Sequence, residues 1–134
     1  MNLIEKLLHV DKEKTQERET KKMKSTRLSK LIGGEAEITI REVSGKRMNE
    51  LNNIVIDKNG KRDFSKAFDA NAMYCVYGVI EPDLRDSRLM EHFGVKTPKD
   101  LAILLFDSEV GKIADEIIKL AGIDKKTEEE VKNS

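Results

Sequence analysis

The chain has 134 residues, a length that predicts one domain and argues against a multidomain enzyme. Lys plus Arg and Asp plus Glu each number 25, so the net charge of zero argues against the basic surface typical of nucleic-acid-binding proteins. Charged residues make up 37% and aromatic residues 4% of the chain, which predicts a small core with part of the chain left unpacked.

The cysteine content and the lack of long apolar runs indicate the compartment of the protein. Cys75 is the only cysteine, so no internal disulfide can form. No apolar run approaches the roughly 18 residues of a membrane span. We therefore expect a soluble, cytosolic protein with no membrane partner.

The N-terminus begins with an apolar island. Leu3, Ile4, Leu7 and Leu8 would lie along one side of a short helix. Residues 11–24 are almost entirely charged or polar, which predicts a flexible connector. Residues 1–24 are thus expected to be an amphipathic segment and a charged linker ahead of the domain.

A hairpin and a helix are predicted next. The runs RLSKLI and AEITIREV flank Gly33-Gly34, and the second run alternates apolar and polar residues, which is typical of a half-buried β-hairpin. Ser44 can cap a helix with Met48, Leu51 and Val55 on one face.

The central segment contains most of the large side chains. All six aromatic residues fall between positions 64 and 106, which predicts that this stretch is the centre of the fold. Asp63 can cap a helix that ends before Pro82. The residues expected on its buried face are Phe64, Phe68, Cys75 and Val79.

The last third has the clearest helix boundaries. A short helix stops at Gly94, and Thr97-Pro98 begins the next one. Its six consecutive apolar residues, 101–106, predict either a core element alone or a core element that also contacts a partner. A final helix carries Val110, Ile113, Ala114, Ile117 and Leu120 and stops at Gly122.

These elements define an α+β fold that is mainly helical. A small N-terminal β-hairpin is expected to pack on a bundle of about five helices, with flexible termini. Residues 25–123 would form one α+β domain, and residues 124–134 a disordered tail.

Catalytic and cofactor signatures are weak. Cys75 lies on the predicted apolar face, where a buried, unreactive thiol is expected. Glu81, Asp83 and Asp86 cluster around Pro82 without a histidine to complete a metal site. No phosphate-binding or dinucleotide motif is present in the sequence. We therefore predict no catalytic residues, no metal and no cofactor.

A helix-turn-helix layout is one alternative. The short helix containing His92, the turn at Gly94 and the helix after Thr97-Pro98 have suitable spacing. The second helix would have to present polar side chains to base edges, but it offers Lys99, an acid and six apolar residues. A DNA-binding regulator is therefore the weaker interpretation, and nucleic acid is not an expected partner.

The region 76–123 resembles the XkdN-like phage tail assembly chaperones. The resemblance rests on the turn Glu81-Pro82-Asp83-Leu84, on Phe93-Gly94 followed by Thr97-Pro98 and a leucine-rich helix, and on a last helix that contains Glu109 and ends near Gly122. The strand and helix within residues 36–55 and the N-terminal MNLIEKLL are also similar. Asp107-Ser108 replaces a small residue and Gly, and Ala121 replaces Ser, without interrupting an element.

The resemblance implies a non-enzymatic, ATP-independent factor in the bacterial host cytoplasm. It would bind the tape measure protein, assist tail tube polymerisation and possess no catalytic residues, with the tail tube protein a second partner and self-association left open. A minor structural protein of the tail is the other alternative. Exposed apolar side chains would form the partner-binding surface: Leu3, Ile4, Leu7, Leu8, Leu101, Leu104 and Leu105. The N-terminal leucines can instead dock on their own domain.

Overall fold

A computed structural model describes residues 1–122. Its helices are α1 (Leu3–Leu8), α2 (Thr26–Ile32), α3 (Gly45–Asn52), α4 (Ala67–Gly78), α5 (Ser87–Phe93), α6 (Pro98–Phe106) and α7 (Val110–Leu120). Its strands are β1 (Thr20–Lys24), β2 (Glu37–Arg41) and β3 (Val79–Glu81). The α+β, mainly helical fold is confirmed. The predicted tail, 124–134, lies outside the described residues.

The three strands form one antiparallel sheet in the order β1-β2-β3. The pairing of β1 with β2 places Thr20 opposite Arg41 and Lys24 opposite Glu37. Ile38 and Ile40 are fully buried on the same face of β2, as the alternating pattern predicts. The central strand thus supplies one wall of the core, and the hairpin expected from the sequence is part of a larger sheet.

The prediction that the run RLSKLI forms the first strand of a hairpin is wrong, because this run lies in helix α2. The Ser25 hydroxyl caps this helix by accepting a hydrogen bond from the backbone N–H of Leu28 at 3.1 Å. Gly33, with φ of 73°, ends it. A short run of mixed apolar and polar residues fits either helix or strand, and here the two caps favour the helix.

The strand that pairs with β2 comes from the segment predicted to be a flexible connector. β1 spans Thr20–Lys24 and has one partly buried apolar side chain, Met23. Its backbone hydrogen bonds with β2 hold it in place, and Lys21 forms a 2.7 Å ion pair with Glu116 of α7. These contacts join residues far apart in sequence, so the local pattern of charges does not indicate them.

Helix α4 lies at the centre of the core and packs against α3, α6 and α7. A Cβ atom added at Gly78 would lie 2.5 Å from Cδ1 of Ile117, so α7 approaches α4 closely where a side chain is missing. The largest buried side chains beside the sheet come from these helices and the turn after β3: Leu84, Leu101, Phe106, Ile113 and Ile117.

The aromatic residues divide between core and surface. Tyr74 and Phe106 are buried, but 75% of the Phe64 surface and 44% of the Phe68 surface are exposed, so their predicted core positions are wrong. Phe64 lies in a 3₁₀ turn, Phe64–Lys66, and α4 begins only at Ala67. The expected helical spacing therefore does not extend through Phe64, and at the other end Val79 is in β3.

The predicted helix boundaries at three other positions are confirmed. The Ser44 hydroxyl accepts a hydrogen bond from Arg47 N–H at 3.2 Å and caps α3. The Thr97 hydroxyl accepts one from Asp100 N–H at 3.1 Å, with Pro98 in the first turn of α6. Gly94 ends α5 with φ of 68°. Local capping chemistry therefore fixes these ends.

Candidate partner-binding surface

The N-terminal helix α1 is exposed on all sides. Asn2 caps it by accepting a hydrogen bond from Glu5 N–H at 2.9 Å. The exposed fractions of its large apolar side chains are 70% for Leu3, 69% for Ile4, 58% for Leu7 and 79% for Leu8. The structure therefore brings these four predicted site residues together on one uncovered helix.

The alternative in which these leucines dock on their own domain does not occur in this structure. Residues 1–10 are all exposed, and a 3₁₀ turn, Lys12–Gln16, connects them to the sheet. Beyond that turn the chain is joined to the sheet, where Glu42 N–H donates to the Glu19 carbonyl at 2.9 Å. Helix α1 thus precedes the packed body and is not covered by it.

The structure corrects the surface predicted on α6. Leu101 and Leu105 are 0% and 5% exposed, so a partner cannot reach them while the helix stays packed. Leu104 is 40% exposed and remains accessible. The buried side chains of α6, at positions 101, 102, 105 and 106, span about 140° of helical rotation, and Leu104 lies about 60° outside that arc. The accessible part of the predicted surface is therefore α1 with Leu104.

A further pair of exposed apolar residues was missed in the sequence. Leu31 and Ile32, at the end of α2, have exposed fractions of 49% and 67%. Reading RLSKLI as a strand of a half-buried hairpin concealed this feature. Helical periodicity within that run was the signal that would have revealed it.

Helices α5 and α6 do form the helix-turn-helix spacing that the sequence suggested. However, α6 buries Leu101, Ala102, Leu105 and Phe106, and Lys99 lies 3.5 Å from the carboxylate of Asp69. A recognition helix needs a free polar face for the major groove. The burial of α6 therefore argues against the DNA-binding interpretation.

Glu109 joins the start of α2 to the start of α7. Its carboxylate accepts hydrogen bonds from the Ser25 hydroxyl at 2.8 Å, from Thr26 N–H at 3.1 Å and from Arg27 N–H at 2.8 Å. Burial raises the pKa of Glu109, but these hydrogen bonds outweigh that effect and hold the pKa below its usual value. This residue of the family resemblance therefore has a structural role, in a 3₁₀ turn directly before α7.

The thiol of Cys75 and the carboxylates of Asp83 and Asp86 have structural roles. Cys75 is fully buried, and burial raises the pKa of its thiol to about 12, where little reactive thiolate exists. Asp83 accepts a hydrogen bond from Arg85 N–H at 2.9 Å. Asp86 caps α5, and its hydrogen bond with the Arg88 side chain contributes most to lowering its pKa to about 2. Residues 1–122 contain no cluster of potential ligands that could hold a metal ion.

The longest helix in residues 1–122 has 12 residues. No helix there combines the length and apolar character needed to cross a bilayer.

Comparison with known proteins identifies the family to which the chain belongs. The sequence profile of the Phage XkdN-like tail assembly chaperone family, TAC, matches residues 4–133. The chain therefore belongs to the Phage XkdN-like tail assembly chaperone family, and the resemblance noted in the sequence is confirmed. No curated protein matches the chain.

A solved structure supports the fold independently. The chain is similar to the crystal structure of the protein YqbN with a TM-score of 0.55, and 16% of aligned residues are identical. The similarity covers 79% of this chain and 88% of YqbN. At this identity the likeness concerns the fold alone.

Proposed function

We infer that this tail assembly chaperone binds the tape measure protein through helix α1 and keeps it soluble until the tail tube polymerises around it. The observation that carries this proposal is the exposure of Leu3, Ile4, Leu7 and Leu8, each more than half accessible. The chain's membership of a tail assembly chaperone family supports the setting. The tail tube protein would be a second partner, and the host cytoplasm would be the site of action.

The physical argument starts from the stability of α1. A helix of six residues gains little from its own hydrogen bonds and is marginal in water. Packing its apolar side against an amphipathic helix would stabilise it and cover the apolar side of the partner. Ordering on contact costs part of the binding free energy, which favours a reversible complex suited to an assembly factor.

Passive binding, without catalysis or nucleotide, fits the remaining chemistry. The thiol of Cys75 is buried and its pKa is raised to about 12. The carboxylates of Asp86 and Glu109 already bind backbone N–H groups at helix starts. Holding another protein requires only apolar contact, and α1 supplies it.

Co-expression with the tape measure protein tests the proposal. A Leu3→Ser/Leu7→Ser/Leu8→Ser variant loses about 1 kcal/mol of apolar contact per side chain, which corresponds to about a 100-fold weaker complex. The tape measure protein should then move from the soluble to the insoluble fraction, and tail tubes assembled from purified proteins should become fewer.

The matched control replaces two equally exposed apolar residues elsewhere, Ile32→Ser/Phe64→Ser, whose exposed fractions are 67% and 75%. The control should leave the partner soluble. Unchanged solubility with the α1 variant, or equal loss with the control, would contradict binding through α1.

A further inference from the structure

A cleft rich in arginine lies on the body of the protein, separate from α1. Its volume is about 250 Å³, and it opens where the segment 16–18, the end of β2 and the start of α3 meet α4. Three basic side chains and one acidic side chain line it: Arg18, Arg41, Arg47 and Glu42. Tyr77 of α4 supplies an aromatic wall. We call this feature the arginine cleft.

One of the three arginines is held in place by its neighbours. The guanidinium carbon of Arg47 lies 4.2 Å from the centroid of the Tyr77 ring, a cation–π contact. The Arg47 side chain also donates a hydrogen bond to Glu50 at 2.8 Å. Because the ring and the carboxylate fix its position, Arg47 would lose little side-chain freedom on binding a ligand.

The other two arginines have charges that the described part of the chain leaves uncompensated. Within residues 1–122, neither Arg18 nor Arg41 lies within 4.0 Å of a carboxylate oxygen. The Arg18 guanidinium donates to the backbone carbonyl of Glu17 at 3.3 Å. The acid of the cleft, Glu42, accepts a hydrogen bond from Glu19 N–H at 3.0 Å. The charged side chains that line the cleft, three arginines and one glutamate, therefore have a net positive charge.

We propose that the arginine cleft binds a carboxylate-rich segment of a partner protein, with Arg18 and Arg41 pairing with its Asp or Glu side chains. The guanidinium group presents a planar pair of donors that matches a carboxylate in two parallel hydrogen bonds. The cleft is small and open to solvent, so it suits one or two acidic side chains.

The surroundings argue against a nucleic acid as the occupant. Glu13, Glu17 and Glu19 lie in the segment that leads into the cleft, and all three are exposed. A nucleic-acid backbone carries phosphates along its whole length, so it would meet these acids on leaving the cleft and be repelled. A protein segment can place acidic residues at the cleft and neutral residues elsewhere.

This inference stands apart from the proposed function, because it concerns different residues and does not need the tape measure protein. The chain also contains another acidic run, Glu128 to Glu130. That run could compete for the cleft, so the experiment includes it as an outcome. Lys58 and Lys61, exposed in the turn before α4, provide a control for net charge.

Fluorescence anisotropy on the full chain tests the proposal with a labelled peptide, Gly-Ser-Glu-Glu-Ser-Gly, in which neutral residues flank one pair of glutamates; we call it the diglutamate peptide. Wild-type protein should bind the peptide, and raising the salt from about 50 to about 200 mM should weaken binding. Arg18→Glu/Arg41→Glu should weaken it by at least about tenfold. Lys58→Glu/Lys61→Glu, which changes the net charge equally, should stay within about twofold of wild type. The same peptide with Gln-Gln in place of Glu-Glu should not bind.

Several results would overturn the proposal. Absence of binding by the diglutamate peptide is one, and equal weakening by the two charge-reversal variants is another. Tighter binding of a ten-nucleotide thymidine strand than of the diglutamate peptide would indicate a nucleic acid. At least tenfold tighter peptide binding by Glu128→Gln/Glu129→Gln/Glu130→Gln would show that the chain's own acids fill the cleft. If the reversal variant does not fold, Arg18→Gln/Arg41→Gln should still weaken binding.

The outcome is separable from that of the proposed function. If the cleft variants lose binding of the diglutamate peptide while the α1 variant retains it, the cleft proposal holds whatever happens to the tape measure protein. If the α1 variant fails to hold the tape measure protein and the diglutamate peptide does not bind wild-type protein, only the cleft proposal fails.

Discussion

Removing the Glu109 carboxylate should uncouple the start of α2 from α7. In the folded chain this group accepts three hydrogen bonds, from Ser25, Thr26 and Arg27, over distances of 2.8 to 3.1 Å. Glu109→Ala leaves the fully buried Ser25 hydroxyl without its acceptor and the first N–H groups of α2 without a counter-charge.

The size of the effect follows from these contacts. A buried hydroxyl that loses its partner costs about 1–3 kcal/mol. Loss of a carboxylate at a helix N-terminus adds about 0.3–1 kcal/mol. We expect Glu109→Ala to lower the free energy of unfolding by about 3 kcal/mol at neutral pH. Glu109→Gln keeps one acceptor oxygen and should lose about half as much.

Urea unfolding followed by circular dichroism measures this difference, and its pH dependence supplies a second test. Because the pKa of Glu109 is held below the ordinary value of 4.5, its contribution is complete above that pH and is lost as the pH falls through the folded value. The gap between wild type and Glu109→Ala should therefore shrink in acid.

The control is Glu91→Ala, on the exposed surface of α5, which should change stability by less than about 0.5 kcal/mol. A Glu109→Ala variant as stable as this control, or a gap that is the same at pH 3 as at pH 7, would refute the assigned role.

Three further predictions concern packing and backbone. Gly78→Ala should lower the free energy of unfolding by about 1–3 kcal/mol, because its Cβ would lie 2.5 Å from Cδ1 of the buried Ile117. In an Ile117→Ala background the same change should cost almost nothing, and a double-mutant cycle measured by urea unfolding tests this. Asp107→Gly should raise the melting temperature, because Asp107 has φ of 48° and ψ of −119°, angles that suit glycine. A lower melting temperature would contradict this prediction. Cys75 should not react with Ellman's reagent at pH 8 in the folded protein, because its thiol is buried and the pKa of the thiol is raised to about 12. In guanidinium the unfolded chain should react with one equivalent of the reagent. Rapid labelling of the native chain would count against that burial.

Features determined by nearby residues were the ones that the sequence predicted well. The caps at Ser44 and Thr97 and the stop at Gly94 each involve contacts within a few residues. Strand β1 was missed because its stability comes from pairing with β2 and from the ion pair of Lys21 with Glu116, 95 residues away. Such a strand has almost no hydrophobic pattern of its own.

The candidate site was predictable to the extent that its residues share one helix. The spacing of Leu3 and Leu7 indicated an apolar side of a helix, and both side chains are exposed in the structure. For α6, composition alone could not decide which apolar residues face the core. Packing against α4 made that choice and buried Leu101 while leaving Leu104 accessible.

Hydrogen–deuterium exchange on the full chain, alone and mixed with the tape measure protein, tests the central claim most directly. Amides of residues 3–8 should exchange rapidly in the free chain, because a short exposed helix opens readily, and should slow by at least about tenfold in the complex. Unchanged exchange in residues 3–8, with slowing confined to other parts of the chain, would contradict the claim that α1 holds the partner.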